Sequence, residues 1–218
     1  MIVKNRMSKN PYCISKNTNI SKALEIMSQY KFHRIPVVDD DNKLIGLLTE
    51  GTIAANTPST ATSLSMYELN YLISKTKTAD IMLKKVITAT PDMLLEEAAL
   101  LMRNNDIGCL VVVDDNKHVE GIITQNDIFD AFIDVLGYYR SGIRYNIKVS
   151  NDVPGVLNKI TKIFYDNNGN ILDLTVFRTG DIVDIIVIAS DHNEKAVQEA
   201  LDLAGFETLV GKNKHTII

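Results

Sequence analysis

The stretch GIITQND, residues 121–127, repeats a phrase that stands earlier in the chain as GLLTEGT, residues 46–52. Both phrases are apolar runs with the pattern Gly-x-x-Thr, which predicts a buried strand that leads through the Thr into a helix. Only the later phrase carries an acidic residue three positions after its Thr, at Asp127, where the earlier phrase has Thr52. The chain therefore uses one fold signal twice and carries the carboxylate once.

The repeat is longer than these two phrases. When Gly46 is aligned with Gly121, the match extends without a gap over residues 7–53, and Met7 and Met27 coincide with Met82 and Met102. A repeat of this length predicts one supersecondary unit used twice, in which each copy completes the core of the other.

Each copy predicts elements in the order β-α-β-β-α. In the first copy we expect a lead strand at residues 13–15 and an amphipathic helix at residues 20–30. Two strands at residues 35–38 and 44–48 follow around an Asp-rich turn, and a last helix begins after Thr49. The second copy repeats this plan.

A linker separates the copies. Residues 57–77 begin with a Ser/Thr-rich run. Ser65 and Glu68 then have the spacing of a capping box, which predicts a helix at residues 66–74.

The two copies, with the phrases FHRIPVVDDDNKLIGLLTEG and IGCLVVVDDNKHVEGIITQNDI, resemble the CBS domain. The resemblance covers residues 1–137. It implies a tandem CBS pair, with one domain at residues 1–56, the linker at residues 57–77 and the second domain at residues 78–137.

The composition changes after Gly137, and residues 138–142 form the predicted junction. Residues 143–218 predict the order βαββαβ, in which Pro154 suits the first turn of the first helix. This order, with DVPGVL after the first strand and GNI before the second, resembles the ACT domain. The fold class is therefore expected to be α+β, with a tandem CBS pair followed by a ferredoxin-like ACT domain.

The succession of a CBS pair and an ACT domain resembles the AcuB-like family of acetoin-utilisation proteins over the whole chain. The linker phrase ATSLSMYELNYL takes part in this resemblance. It does not establish a role in acetoin metabolism, because that role rests on genetic context.

The composition limits the classes of function. The 218 residues are 45% apolar and 23% charged, with a net charge of −4, which speaks against a broadly basic surface for nucleic acid. Cys13 and Cys109 lack the spacing of a metal site and are expected to be free thiols. The first residues have no apolar core for a signal peptide and no stretch approaches a membrane span, so we expect a cytoplasmic protein.

Thr124 and Asp127 are the main candidates for ligand binding. A carboxylate can accept hydrogen bonds from both neighbouring hydroxyls of a ribose, and such charge-assisted bonds are strong. In CBS domains the Thr/Ser-x-x-Asp after the Gly-containing strand binds the ribose, and the resemblance assigns this role to Thr124 and Asp127. The alternative is that the two residues form only a capping box.

The resemblance also implies that each cleft is shared between the two copies. Arg34 would offer a planar fork to phosphate oxygens, unless it pairs with an Asp of the nearby turn. The other residues implied for this first cleft are Ser8, Cys13, Phe32 and His33. The second cleft would be weaker because Thr52 cannot replace a carboxylate. Its remaining residues would be Leu83, Thr88, Ile107 and Thr49.

A further candidate site lies in the ACT half. Asn151, Asp152 and Gly155 match the loop that binds amino acids in some ACT domains. Glycine permits a close backbone approach, and free N–H groups at a helix start favour a carboxylate. The alternative is that this domain serves only for association.

No arrangement typical of an enzyme is apparent. The four histidines share no ligand spacing, and neither cysteine has a histidine beside it. We therefore expect a regulatory protein, without a catalytic site, a metal or a cofactor. The expected ligand is an adenine nucleotide, with AMP, ADP, ATP, S-adenosylmethionine and cyclic di-AMP left open. We also expect a homodimer and a protein target. The alternative function is a scaffold with vestigial clefts.

Overall fold

A computed structural model describes residues 1–57, 66–180, 182–190 and 193–213 of the chain. The predicted capping box at Ser65 lies outside the described residues. The helix that it was expected to open is present at Met66–Lys75.

The chain divides into two compact units, Met1–Ile128 and Phe129–Ile218. The second unit begins before Gly137, the predicted end of the CBS pair. Within it, Thr175 Oγ1 donates to the backbone oxygen of Val135 at 3.4 Å. The residues just before Gly137 thus contact the sheet that follows them, and the predicted domain bounds remain predictions.

The first unit contains both copies of the repeat. Its strands are Ser8–Lys9 (β1), Ile14–Ser15 (β2), Arg34–Val38 (β3), Leu44–Thr49 (β4), Thr88–Ala89 (β5), Cys109–Val113 (β6) and Val119–Thr124 (β7). Its helices are Ile20–Tyr30 (α1), Glu50–Asn56 (α2), Met66–Lys75 (α3), Thr78–Ile81 (α4) and Leu95–Asn104 (α5), and the helix Gln125–Val135 (α6) starts in it. A short 3₁₀ helix, Val3–Asn5, precedes them.

The segment at the start of each copy, called the lead segment and centred on Ser8 in the first copy and Leu83 in the second, crosses to the sheet of the other copy. Strand β1 of the first copy pairs antiparallel with β7 of the second, with Ser8 opposite Ile122. At the equivalent place in the lead segment of the second copy, Leu83 exchanges two backbone hydrogen bonds of 2.9 Å each with Leu47 of the first. The strands of this unit form the sheets β2-β3-β4 and β1-β7-β6-β5. The exchange between the two copies is therefore reciprocal.

This exchange explains the glycine of the Gly-x-x-Thr phrase. A Cβ atom at Gly121 would lie 2.5 Å from Sδ of Met7, and one at Gly46 would lie 2.5 Å from Sδ of Met82. Backbone oxygens of the same lead segments would lie at 3.1 Å and 3.0 Å respectively. Glycine is required because the lead segment of the other copy passes directly over the strand.

Helix α1 buries one face against the first sheet. Ile20, Ala23 and Met27 are buried at the 3/4 spacing of a helix, and they pack with Ile35 and Leu48 of the two central strands. The helix ends at Tyr30, and the C-cap residue Lys31 takes the left-handed conformation typical of a helix end. The bounds of α1 are those that the sequence predicts.

The second unit is a four-stranded antiparallel sheet with two helices. Its strands are Gly142–Val149 (β8), Ile171–Thr179 (β9), Ile182–Ala189 (β10) and Glu207–Asn213 (β11), and its helices are Val156–Asp166 (α7) and Glu194–Leu203 (α8). The sheet order is β11-β8-β10-β9. Alternate residues of β8, such as Tyr145 and Ile147, pack against Ile160 and Phe164 of α7. The α+β fold class and the βαββαβ order are confirmed.

One local prediction in this unit is wrong. Pro154 lies before α7, and not in its first turn as the sequence suggested. The N-cap is Gly155, whose φ of 96° is a left-handed conformation that favours glycine. The chain turns at this glycine before the helix begins.

Across the described ranges, no helix is both long and apolar enough to cross a membrane.

Candidate functional site

A cavity of about 430 Å³ lies between the two copies of the repeat. Its walls come from the lead segment around β1, from the start of β3, and from the junction of β7 and α6. Small-molecule sites typically measure roughly 300–1,000 Å³. The cavity corresponds to the first cleft, and five of its seven sequence-derived residues line it: Ser8, Phe32, His33, Arg34 and Thr124.

Of the aromatic wall of this cleft, the sequence analysis indicated Phe32 and missed Tyr12. Tyr12 and Phe32 both line the cavity, and Tyr30 lies between them. Its ring centroid is 5.6 Å from each of theirs, and the ring planes of Tyr30 and Phe32 differ by 17°. Aromatic faces of this kind can stack on a flat ring such as a purine. Tyr12 lies between β1 and β2, where the sequence shows no periodic pattern.

Asp127 does not line the cavity, because its carboxylate turns toward Thr124. Oδ2 accepts hydrogen bonds of 2.7 Å from both the backbone N–H and the hydroxyl of Thr124. The backbone N–H of Asp127 donates back to Thr124 Oγ1 at 3.4 Å. This is the geometry of a capping box. The second oxygen, Oδ1, accepts no hydrogen bond from the described part of the chain.

The first copy builds the same cap without a carboxylate. Thr52 Oγ1 accepts from the backbone N–H of Thr49 at 3.0 Å, and Thr49 Oγ1 accepts from that of Thr52 at 3.1 Å. A threonine therefore suffices for the cap at this place in the fold. The charge of Asp127 is not needed for the local structure.

Cys13 lies behind the cavity wall and not on it. Its half-buried side chain packs against the cluster that contains Leu47, Val111 and Val113. The thiol donates to the backbone oxygen of Pro11 at 3.3 Å, and burial raises the pKa of Cys13 to about 11. Cys13 therefore does not line the cavity, whereas its neighbours Pro11 and Tyr12 do.

Arg34 lies against the backbone of the second copy. A Cβ atom at Gly108 would be 3.0 Å from its Nη1 and 3.2 Å from its Nη2. Burial raises the pKa of the Cys109 thiol, and the charge and hydrogen bond of Arg34 act in the opposite direction. Within the described residues Arg34 makes no ion pair, and Asp39 of the nearby turn accepts two backbone N–H bonds from that turn.

His33 faces a carboxylate at the edge of both clefts. Its Nδ1 lies 2.9 Å from Oε2 of Glu50, and both side chains are largely exposed.

In the part of the chain that the structure describes, the wall of the first cleft has three cations, Lys9, Lys31 and Arg34.

The second cleft is a cavity of about 380 Å³. Leu83, Ile107 and Thr49 line it as predicted, whereas Thr52 does not, because its hydroxyl is held in the cap of α2. Thr88 is also absent from its walls and lines a separate cavity of about 230 Å³. Apolar side chains occupy positions that are polar in the first cleft, such as Leu83 in place of Ser8.

The loop predicted to bind a ligand in the second unit holds an ion pair. Asp152 lies 3.1 Å from Nη2 of Arg178, so its carboxylate already has a cation. Asn151 is exposed, and a Cβ atom at Gly155 would meet nothing within 4 Å. These contacts do not bring the three residues together around a cavity wall.

Two known domain families match different parts of the chain. The CBS domain matches residues 3–56 and 79–134, and the ACT domain matches residues 146–202. The chain belongs to the CBS-domain family and carries an ACT domain after its CBS pair.

Relatives of two kinds match part of the chain. An uncharacterized protein of Methanocaldococcus jannaschii is 31% identical over 155 residues, which are 61% of this chain and 92% of that protein. The homoserine O-acetyltransferase of Methanococcus vannielii is 38% identical over 127 residues. These residues are 58% of this chain and only 24% of the enzyme. Such enzymes match through their CBS domains alone.

Several solved structures resemble part of the chain. The CBS domain pair of protein MJ0100 in complex with 5′-methylthioadenosine and S-adenosyl-L-methionine is 30% identical, with a TM-score of 0.50, and the match covers 61% of this chain and 95% of that one. CBSX2 in complex with AMP is 27% identical, with a TM-score of 0.51 and coverages of 62% and 97%. A protein of Vibrio cholerae assigned to acetoin utilization (AcuB) is 25% identical, with a TM-score of 0.54 and coverages of 64% and 95%.

Proposed function

We propose that the chain is a regulatory protein that binds an adenine nucleotide in the first cleft. The observation that carries this proposal is the composition of the cavity wall. It combines an aromatic face at Tyr12 and Phe32, the Thr124 hydroxyl, and the cations Lys9, Lys31 and Arg34. A base, a ribose and a phosphate each find a suitable group there.

The cap of the first copy supports a ligand role for Asp127. Since Thr52 closes the equivalent cap with neutral groups, the carboxylate of Asp127 has no structural requirement. Its Oδ1, which takes no hydrogen bond from the described residues, can accept from a ribose hydroxyl. For both oxygens to bind the ribose, the side chain would have to turn from Thr124 toward the cleft, which would release the Thr124 hydroxyl.

The cationic wall favours a ligand that carries phosphate. Arg34 has no ion-pair partner among the described residues, and its planar guanidinium suits two phosphate oxygens at once. Lys9 and Lys31 add charge on the same wall. AMP, ADP and ATP satisfy these groups better than S-adenosylmethionine, which carries no phosphate.

The regulatory assignment rests on the family. CBS-pair proteins are generally regulatory, and similar pairs have been solved with AMP or S-adenosyl-L-methionine bound. We extend this to the present chain as a homodimer that works without a catalytic site in the cytoplasm. The ACT domain would serve association or the sensing of a small ligand, in which case the ligand must displace Arg178 from Asp152.

A scaffold with vestigial clefts is the second candidate. The observation in its favour is the bond between Thr124 and Asp127, which satisfies the pair without a ligand. In that case the Thr-x-x-Asp phrase would be a cap and nothing more.

Thermal unfolding with and without nucleotide separates the two candidates. A ligand present at 100 times its dissociation constant stabilises the folded protein by about 2.7 kcal/mol, which raises the melting temperature by several degrees. We expect this rise with AMP, ADP or ATP, and a smaller effect with GMP, which has the same charge as AMP. Unchanged melting with every adenine compound would favour the scaffold.

A further inference from the structure

One arginine stands on the wall between the two clefts. Arg34 lines both cavities, and so does Gly108, against which its guanidinium lies. Arg34 begins β3 and pairs in register with Thr49, which lines the second cleft. The lack of a side chain at Gly108 allows the guanidinium to approach the second copy within van der Waals distance. The same cation is therefore reachable from either side.

The repeat does not supply a second arginine. The position of the second copy that is equivalent to Arg34 is Cys109, and the position equivalent to His33 is Gly108. Arg34 meets the thiol of Cys109, which is a weak hydrogen-bond acceptor. Over the described ranges it has no carboxylate partner, so most of its five N–H donors are available to an anion.

The other charges make the second cleft more dependent on Arg34 than the first. The first cleft also has Lys9 and Lys31 on its wall. The second has Lys85, but Glu50 lies on the same wall. The residue equivalent to Glu50 in the first cleft is the neutral Gln125. A phosphate in the second cleft would thus face one lysine, one carboxylate and the shared arginine.

We propose that Arg34 binds phosphate from both clefts, so that a nucleotide in one cleft weakens the binding of a nucleotide phosphate in the other. This inference rests on the proposed function. A single guanidinium that turns toward one phosphate withdraws its N–H donors from the other. Two phosphates held close to one cation also repel each other, and salt screens this repulsion only in part. The coupling is reciprocal, and it requires a phosphate, so a nucleoside without one does not show it.

The test uses the full chain and follows the two clefts separately by residue-resolved NMR titration. The backbone amide of Asn10 reports on the first cleft and that of its equivalent, Lys85, on the second. The probes are AMP and adenosine, which differ only in the phosphate. We expect Arg34→Gln to lower AMP affinity in both clefts by roughly ten- to hundredfold, with the larger loss in the second cleft. Adenosine affinity should change less than about twofold in either cleft.

Lys31→Gln is the matched control, because Lys31 lines the first cleft and not the second. It should weaken AMP in the first cleft alone. If Arg34→Gln also weakens AMP in only one cleft, the shared role is overturned while nucleotide binding stands. If wild-type protein binds AMP in neither cleft, the proposed function fails and this inference fails with it.

A second pair of variants measures the coupling. Ser8→Trp fills the first cleft and Leu83→Trp fills the second, at equivalent positions of the repeat. Closing the first cleft should raise AMP affinity in the second by about tenfold, and adding Arg34→Gln should abolish this rise. Equal AMP affinity of the second cleft with the first cleft open or closed contradicts the coupling.

Unchanged melting of Arg34→Gln excludes misfolding as the cause of a loss. Should that variant not fold, Arg34→Lys retains the charge and loses only the planar fork. A smaller loss of AMP affinity in both clefts is then expected, and a loss confined to one cleft overturns the inference.

Discussion

Replacing Asp127 by Asn separates a ribose-binding carboxylate from a helix cap. The amide keeps the size of the side chain and a carbonyl oxygen that can accept the 2.7 Å bond from the Thr124 backbone N–H. It removes the charge that would strengthen the bonds from two ribose hydroxyls. Hydrogen bonds to a charged group contribute about 1.5–3 kcal/mol, so AMP affinity should fall roughly ten- to hundredfold. Titration calorimetry of AMP measures this loss directly.

Thr52→Ala provides the control at the equivalent position of the repeat. It removes the 3.0 Å bond from the Thr49 backbone N–H to the Thr52 hydroxyl and the 2.8 Å bond from that hydroxyl to the Thr49 backbone oxygen, and neither residue lines the first cleft. Loss of a cap typically lowers the free energy of unfolding by about 0.5–2 kcal/mol, so we expect lower melting with unchanged AMP affinity. The opposite result for Asp127→Asn, lower melting and intact AMP affinity, would make Asp127 a cap and refute the ribose assignment.

Three further outcomes are expected. Thr52→Asp should create or strengthen adenine-nucleotide binding in the second cleft by calorimetry. No gain would mean that other residues of that cleft exclude the nucleoside. Gly121→Ala and Gly46→Ala should each lower the free energy of unfolding by about 1–3 kcal/mol in urea, because the added Cβ meets a methionine and a backbone oxygen of the other copy's lead segment. A loss at one glycine alone would contradict the reciprocal exchange. A fragment of residues 1–137 should remain folded and bind AMP as the full chain does, since both copies of the repeat lie within it. An unfolded fragment under conditions where the full chain is stable would show that the two units depend on each other.

The regular elements were predictable because their apolar residues follow the period of the structure. Helix α1 has its predicted bounds, since Ile20, Ala23 and Met27 recur at the spacing of one helix face. Strand β1 was missed because its two residues, Ser8 and Lys9, are both exposed and show no alternation. Such a strand exists only through its partner in the other copy, which sequence periodicity does not reveal.

The candidate site was predictable in part. The resemblance to CBS pairs implied that Ser8, Phe32 and Thr124 share one cleft, and all three line one cavity. Cys13 was misplaced because the alternation of the lead segment turns its side chain into an apolar cluster. The shared position of Arg34 depends on a guanidinium lying over Gly108, a contact between side chain and backbone that no spacing encodes.

A crystal structure of the full chain grown with AMP tests the central claim most directly. The expected result is AMP in the first cleft, with both ribose hydroxyls within about 2.5–3.0 Å of the Asp127 carboxylate, the distance of O–H···O hydrogen bonds. The base should lie along Tyr12 and Phe32, and the phosphate should contact Arg34. A first cleft without nucleotide at saturating AMP would contradict the account. So would AMP bound there with Asp127 still hydrogen-bonded to Thr124 and away from the ribose.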